Sequence, residues 1–182
     1  MVNIIKQARE RSETVKALSK HRIYTVIDIA GYIINTNMDN GIRMRRHRVD
    51  MFLYFAQICS IIRTGEPLFN SSIYVRDIHK PYTEWMDNEY GHKYKIFPMH
   101  RIDVYWDRNK GVSDLGKHQF NPHITMFDRQ MLDDIINTLN TKSNRELQDK
   151  IAMQGLTYSA LLYHGNEITE RMMLEFCENK RS

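Results

Sequence analysis

The sequence has little cysteine and no long apolar run. Its 182 residues include two cysteines, Cys59 and Cys177, which lie far apart within helical patterns of apolar residues. We therefore expect two lone buried thiols rather than a disulfide framework. The longest apolar stretch, residues 51–62, is shorter than the roughly 20 residues that span a bilayer. The first residues lead into charges instead of a signal-peptide core. These absences favour a cytoplasmic protein without a membrane partner.

The motifs of common catalytic sites are also missing. The sequence contains no glycine-rich phosphate loop, no Gly-x-Ser-x-Gly elbow and no His-Glu-x-x-His motif. His118 and His123 lack the further cysteine or histidine pair that a zinc site needs. The adjacent Asp133 and Asp134 would point in different directions from a helix. We expect a protein that is not an enzyme and uses no metal or cofactor; the alternative, an enzyme, would have its site within residues 100–123.

Positive charge is concentrated in two segments of the chain. The formal net charge of the whole chain is +4. Residues 1–22 hold six Lys or Arg and two Glu, and residues 41–63 hold five Arg and one Asp. Each of these segments therefore carries as much net positive charge as the entire chain. This asymmetry predicts one face that meets an acidic partner.

Hydrophobic periodicity predicts a mainly α-helical fold. Apolar residues at helical spacing within residues 3–19 predict an N-terminal basic helix in the segment 1–23. The widest apolar stripe extends from Arg45 to Arg63 and predicts a central, buried helix that ends at a glycine and a proline. Capping boxes predict three further helix starts, at Thr25, Thr125 and Ser143. Glycines are expected to separate the two last helices, at Gly155 and Gly165.

The segments between these helices predict turns and short strands. The asparagine-rich residues 35–41 indicate a turn, and Pro81 is expected to open a helix that Gly91 closes. Residues 93–97 and 102–106 alternate apolar and polar side chains, which predicts a small β-hairpin. The polar segment Asp107–Pro122 predicts a mobile loop. Because no repeat, low-complexity tract or linker interrupts the pattern, we expect a single compact domain of about seven to eight helices over residues 24–182.

An arginine cluster is the strongest candidate for a functional site. Arg43, Arg45, Arg46 and Arg48 lie at the N-terminal edge of the predicted central helix. Cations oppose the helix dipole there, so something other than helix stability is expected to retain them; a solvated helix end is the alternative. Arginine pairs bidentately with carboxylate and with phosphate groups. A helix–turn–helix motif would need a shorter turn than residues 35–41 provide, which leaves sequence-independent DNA contact as a second use.

The segments DIAGYII (residues 28–34), VDMFLYFAQ (49–57) and TGEPLF (64–69) follow one another along the chain. In this order they resemble the opening of the Panacea domain, a family of SocA-like antitoxins and phage-associated relatives. The likeness extends over roughly residues 24–177, with Lys80 in the place of a glycine that the family usually has. The resemblance implies a helical module, carried by phages and mobile elements, that neutralises another protein by direct binding.

We therefore expect a non-enzymatic protein that neutralises a bacterial effector inside the host cell. A defence nuclease is the first candidate, in the manner of an anti-CRISPR inhibitor of a Cas nuclease. The alternatives are an antitoxin for a co-encoded toxin and a DNA-binding regulator, and a homodimer is left open. The residues expected to contact the partner, whether protein or nucleic acid, are Arg43, Arg45, Arg46, Arg48, Lys80, Arg9 and Lys16.

Overall fold

The computed structural model describes residues 24–83, 104–107, 111–114 and 124–179. This part of the chain is mainly helical, as the periodicity predicted, although it contains six helices instead of seven to eight. The predicted N-terminal basic helix lies outside it. The helices are α1 (Val26–Asp39), α2 (Arg46–Thr64), α3 (Met126–Asn140), α4 (Asn144–Ala152), α5 (Leu156–Tyr163) and α6 (Glu170–Asn179). The strands are β1 (Ile73–Val75), β2 (Pro81–Thr83), β3 (Val104–Asp107), β4 (Gly111–Asp114) and β5 (Glu167–Ile168).

Helix α2 lies at the centre of the described core. It contacts α1, α3, α4, α6 and strand β2, and nearly every residue from Val49 to Ile61 is buried. The sequence predicted these bounds to within one residue. The helix ends at Gly65, whose φ of 78° is a left-handed conformation that costs glycine little. Its position explains the wide apolar stripe, because neighbours cover the helix on several sides.

Helix α1 begins with the predicted capping box but ends later than expected. Thr25 Oγ1 accepts from the Asp28 N–H at 3.2 Å, and the Asp28 carboxylate accepts from the Thr25 N–H at 3.1 Å. The prediction of a turn over residues 35–41 was wrong for residues 35–39, where the helix continues, and right for residues 40 and 41. Asn37 is fully buried, donates to the Ile33 carbonyl at 2.8 Å and accepts from Asn140 Nδ2 at 2.8 Å. These bonds satisfy a side chain that elsewhere competes with helix formation.

Helix α3 has a modified cap, in which a tyrosine hydroxyl enters the predicted capping box. Thr125 Oγ1 accepts from the Asp128 N–H at 3.2 Å, as expected. The Thr125 N–H donates instead to the Tyr24 hydroxyl at 3.1 Å, and this hydroxyl donates to Asp128 Oδ2 at 2.8 Å. Burial raises the pKa of Tyr24, which keeps the hydroxyl protonated as a donor. The cap therefore also fixes the start of α1 to the start of α3. Helix α4 has the complete capping box that was predicted, between Ser143 and Glu146.

A three-stranded antiparallel sheet, in the order β2-β1-β5, packs beside α2 and α5. The prediction that Pro81 opens a helix was wrong, because Pro81–Thr83 forms β2 and pairs with β1. The physical reason lies in α2: the N–H and the hydroxyl of Thr83 both donate to Asp50 Oδ1 at 3.2 Å. This buried carboxylate holds the segment extended. The rest of the expected helix, up to Gly91, lies outside the described residues.

A separate β-hairpin forms between β3 and β4, with Val104 opposite Asp114 and Trp106 opposite Val112. The sequence predicted the first strand of this hairpin but named a different partner, residues 93–97, which lie outside the described residues. The actual partner, Gly111–Asp114, falls inside the segment that was expected to be a mobile loop. Residues 111–114 of the predicted loop therefore form a β-strand.

Gln57 joins α2 to the chain that follows it. Its buried side-chain amide donates to the Phe69 carbonyl at 3.1 Å. Its oxygen accepts from the Leu68 N–H at 2.9 Å and from the Phe69 N–H at 3.2 Å. One side chain thus satisfies three backbone groups that would otherwise be buried without partners.

We expect Gln57→Leu to lower the free energy of unfolding by about 3 kcal/mol, because it leaves these buried backbone groups without hydrogen-bond partners. Urea denaturation followed by circular dichroism measures the change. Gln130→Leu, at an exposed position of α3, is the matched control and should change stability by less than about 0.5 kcal/mol. Equal effects of the two substitutions would contradict this role of Gln57.

Candidate functional site

A cleft of about 200 Å³ lies where α2 begins, beside the turn between β1 and β2 and against α4. Charged and titratable side chains from two segments, α2 and the turn between β1 and β2, line it, and its apolar lining comes from α2 and β2. The charged and titratable group consists of Arg46, His47, Asp50, Arg76, His79 and Lys80. The remaining lining residues are Met51, Pro81, Tyr82 and Gln148. We call this feature the cationic cleft.

The first turn of α2 gives the cleft an electropositive wall. Its N-cap residue, Arg45, makes no side-chain capping bond, and no acidic residue lies in the first turn. The first N–H groups of a helix have no partner within the helix, so this end attracts anions. Helices α1, α3 and α4 begin differently, each with a threonine or serine cap and an acidic first-turn residue. The start of α2 therefore lacks the side-chain cap and the acidic residue that usually stabilise the start of a helix.

Asp50 fixes Arg46 and β2 on the two sides of the cleft. Its side chain is only 4% exposed and lies 3.8 Å from Arg46 Nε, one helical turn away. The other carboxylate oxygen accepts both bonds from Thr83. A buried carboxylate is tolerated only when it is paired and hydrogen-bonded, and these three contacts meet that condition.

The turn between β1 and β2 positions Lys80 at the cleft. Lys80 Nζ donates to Asp77 Oδ2 at 2.6 Å, and the His79 N–H donates to Asp77 Oδ1 at 2.9 Å. Partial burial raises the pKa of Asp77, but the bonds from Lys80 and His79 outweigh it and hold that pKa below its usual value. The ion pair is largely exposed, so its main effect is to order the turn, with little gain in stability.

An aromatic pair supports the third cation of the cleft. Tyr74 and Tyr82 are opposite each other in the sheet, with ring centroids 5.7 Å apart. Arg76 follows β1 directly, two residues after Tyr74. Its guanidinium lies 4.7 Å from the centroid of the Tyr82 ring, within the range of a cation–π contact. The ring thereby restricts the orientations of Arg76 before any ligand arrives.

The two histidines of the cleft both contact α4. Burial, and then the charges of Arg45 and Arg48, lower the pKa of His47 below its usual value. His47 is therefore neutral at pH 7, and its Nε2 lies 3.0 Å from Asn144 Nδ2. His79 Nδ1 lies 3.4 Å from the Gln148 carbonyl. The lysine and arginine side chains that line the cleft are Arg46, Arg76 and Lys80.

The structure places the predicted partner-binding residues in different settings. Arg46 and Lys80, which are far apart in sequence, line the same cleft. Arg43 and Arg45 are exposed just before α2. Arg9 and Lys16 lie outside the described residues.

Arg48 faces into the domain, unlike its neighbours in the cluster. Its guanidinium donates to Asn144 Oδ1 at 2.6 Å and to the carbonyls of Lys142 and Leu139 at 3.1 and 3.2 Å. It also stacks 5.3 Å from the centroid of Phe52. Carbonyls at the end of a helix lack partners within that helix, and Arg48 supplies a donor to the end of α3. We therefore leave it out of the candidate surface.

Two adjacent aspartates of α3 bind different helices. Asp133 accepts from the Tyr32 hydroxyl at 2.7 Å, and burial together with this carboxylate raises the pKa of Tyr32 to about 12. Asp134 lies 3.9 Å from Arg63. The two carboxylates thus attach α3 to α1 and α2. The expectation that they point in different directions is confirmed.

Sequence reasoning missed Arg76, His79 and Tyr82 as parts of the site. The alternation of Tyr74 and Arg76 was a usable signal, since it is typical of a strand with one exposed face. The prediction of a helix that starts at Pro81 conflicts with this signal, because a helix there would keep Tyr82 from pairing with β1.

Comparison with models of known protein families found no matching family, and searches of curated proteins and of solved structures found no match. The resemblance to the Panacea domain therefore stays a prediction. None of the described helices is long and apolar enough to cross a membrane. The same part of the chain holds no group of three or more His, Cys, Asp or Glu side chains arranged to bind a metal ion.

We expect Arg48→Ala to lower the free energy of unfolding by about 2 kcal/mol, because it removes charge-assisted bonds to two backbone carbonyls. Arg45→Ala is the matched control within the same cluster. It should leave stability unchanged or raise it by about 0.5 kcal/mol, because it relieves an unfavourable charge at the start of α2. Chemical denaturation of both variants checks this. A larger loss from Arg45→Ala would contradict the different roles given to the two arginines.

Proposed function

We propose that this protein neutralises a bacterial effector by direct binding, and that its working surface is a cationic face. This face consists of the cationic cleft together with the exposed Arg43 and Arg45. The observation that supports it best is the convergence of Arg46 from α2 with Arg76 and Lys80 from the turn between β1 and β2, two segments remote in sequence, on one cleft. Such convergence focuses positive potential on a small area, which suits an acidic partner.

The lining of the cleft favours binding over catalysis. The described residues that line it include no serine, threonine or cysteine. The Asp50 carboxylate is already engaged by Thr83 and Arg46. Nucleophilic catalysis depends on an accessible nucleophile within reach of a base. The hydroxyl beside Asp50 belongs to Thr83, which is fully buried and does not line the cleft.

A defence nuclease is the first candidate for the effector. Nucleases hold their catalytic metal ions with clustered carboxylates, which a cationic surface can cover. Arginine suits this contact because its planar fork pairs bidentately with carboxylates. The resemblance to the Panacea domain also supports an inhibitory role, and a co-encoded toxin is the effector if the protein is an antitoxin.

A second candidate function is contact with single-stranded nucleic acid. The observation that favours it is the Tyr74–Tyr82 pair with Arg76 stacked on it. Aromatic rings beside cations are the usual platform for unpaired bases. This candidate predicts binding that falls steeply with salt concentration and that nuclease treatment abolishes.

The experiment measures the capture of purified candidate nucleases and toxins on the immobilised protein. Capture is compared before and after treatment with an unrelated nuclease that digests any bound nucleic acid. We expect the double variant Arg43→Glu, Arg45→Glu to weaken capture of the effector at least tenfold, because two repulsive charges replace two attractive ones. Arg171→Glu is the control, since Arg171 is 87% exposed on α6 and pairs with Glu175.

Unchanged capture by the double variant would contradict the proposal that the cationic face is the working surface. Capture that disappears after nuclease treatment would favour the nucleic-acid function instead. Both variants alter exposed side chains, so circular dichroism should show the same fold as the parent protein.

A further inference from the structure

The cleft combines an apolar interior with a charged rim. Met51 is 2% exposed and Pro81 is buried, so these residues lie deep in the cleft. Lys80 and Arg46 are more exposed, at 57% and 32% of their side chains, and Arg76 is exposed. Asp50 also lies deep, but its contacts with Thr83 and Arg46 occupy it. A ligand that fits has an apolar group pointing inward and a negative charge at the rim.

The size of the cleft limits this ligand to one small group. Its volume of about 200 Å³ is below the roughly 300–1,000 Å³ of pockets that enclose a whole small molecule. It equals the liquid volume of about seven water molecules, which is enough for one side chain. A short cleft of this size also differs from the continuous groove that follows a nucleic-acid backbone.

The C-terminal residue of a polypeptide has both features on adjacent atoms. Its side chain can enter the apolar interior while its terminal carboxylate remains at the rim. There the carboxylate would meet Arg46, Arg76 and Lys80 beside the first turn of α2, whose dipole favours an anion. Capture of a terminal carboxylate by backbone N–H groups is a known mode of peptide recognition.

We propose that the cationic cleft binds the C-terminal residue of the partner protein, with an apolar side chain and a free carboxylate. The inference rests on the proposed function and deepens it, since it names the part of the effector that the cleft recognises. An internal acidic side chain fits less well, because its charge lies at the tip that would enter the apolar interior. The pre-ordered Arg76 and Lys80 reduce the entropy lost on binding.

Short peptides test this without any effector. The probes are two acetylated pentapeptides of glycine and serine that end in leucine, one with a free carboxylate and one amidated, and inorganic phosphate. Titrations of the full chain are followed by backbone and arginine side-chain nuclear magnetic resonance. We expect the acid to bind at least tenfold more tightly than the amide and to shift the signals of Arg46, His47 and Arg76. A third peptide, ending in glycine, should bind more weakly than the leucine acid.

Substitutions locate the binding. Arg76→Gln should weaken binding of the acid at least fivefold and leave that of the amide unchanged, whereas Arg171→Gln should change neither. Both positions are exposed, and circular dichroism confirms the fold of each variant. Equal affinity for acid and amide, or signal shifts outside the cleft, would overturn the proposal. Phosphate that binds the cleft tenfold more tightly than the acid would also overturn it.

Failure here is separable from failure of the proposed function. If Arg43→Glu, Arg45→Glu abolishes capture while the peptide acid does not bind, the cationic face stands and the C-terminal inference falls. If the acid binds but Arg43→Glu, Arg45→Glu leaves capture unchanged, the inference about the cleft stands and the proposed function falls.

Discussion

A buried carboxylate in the central helix, Asp50, determines how the candidate site is built. It accepts two hydrogen bonds from Thr83 and lies within ion-pair distance of Arg46. A carboxylate at this depth is unfavourable unless these partners stay in place. The pairing therefore ties β2 to α2, which fixes the turn that carries Lys80. The shape of the cleft follows from a requirement of the core.

The start of α2, by contrast, carries an electrostatic cost that the rest of the fold must offset. Arg45 and Arg46 stand where α1, α3 and α4 have a cap and an acidic residue, at a cost of about 0.3–1 kcal/mol for each misplaced charge. Burial of most of the helix offsets that cost many times over, since each large apolar side chain contributes roughly 1.5–3 kcal/mol. The fold can therefore maintain an electropositive helix end that an isolated helix would not retain.

Local signals in the sequence were sufficient for the helices and insufficient for the site. Capping boxes at Thr25 and Ser143 act within four residues, so the sequence alone predicted those helix starts. The extension of α1 depends on Asn140, and the strand at Pro81 depends on Asp50; both partners are remote in sequence. Arg48 and Arg45 have the same local pattern, and only the packing of α3 and α4 distinguishes an internal donor from an exposed charge. Residues assembled by tertiary contacts are thus what the sequence could not reveal.

The central claim is that the partner meets the start of α2 and the turn between β1 and β2. Hydrogen exchange of this chain, measured alone and with a captured effector, tests it most directly. We expect slower exchange at the amides of residues 46–47 and 76–80 in the complex. Slower exchange confined to α5 and α6, with the cleft unchanged, would contradict it.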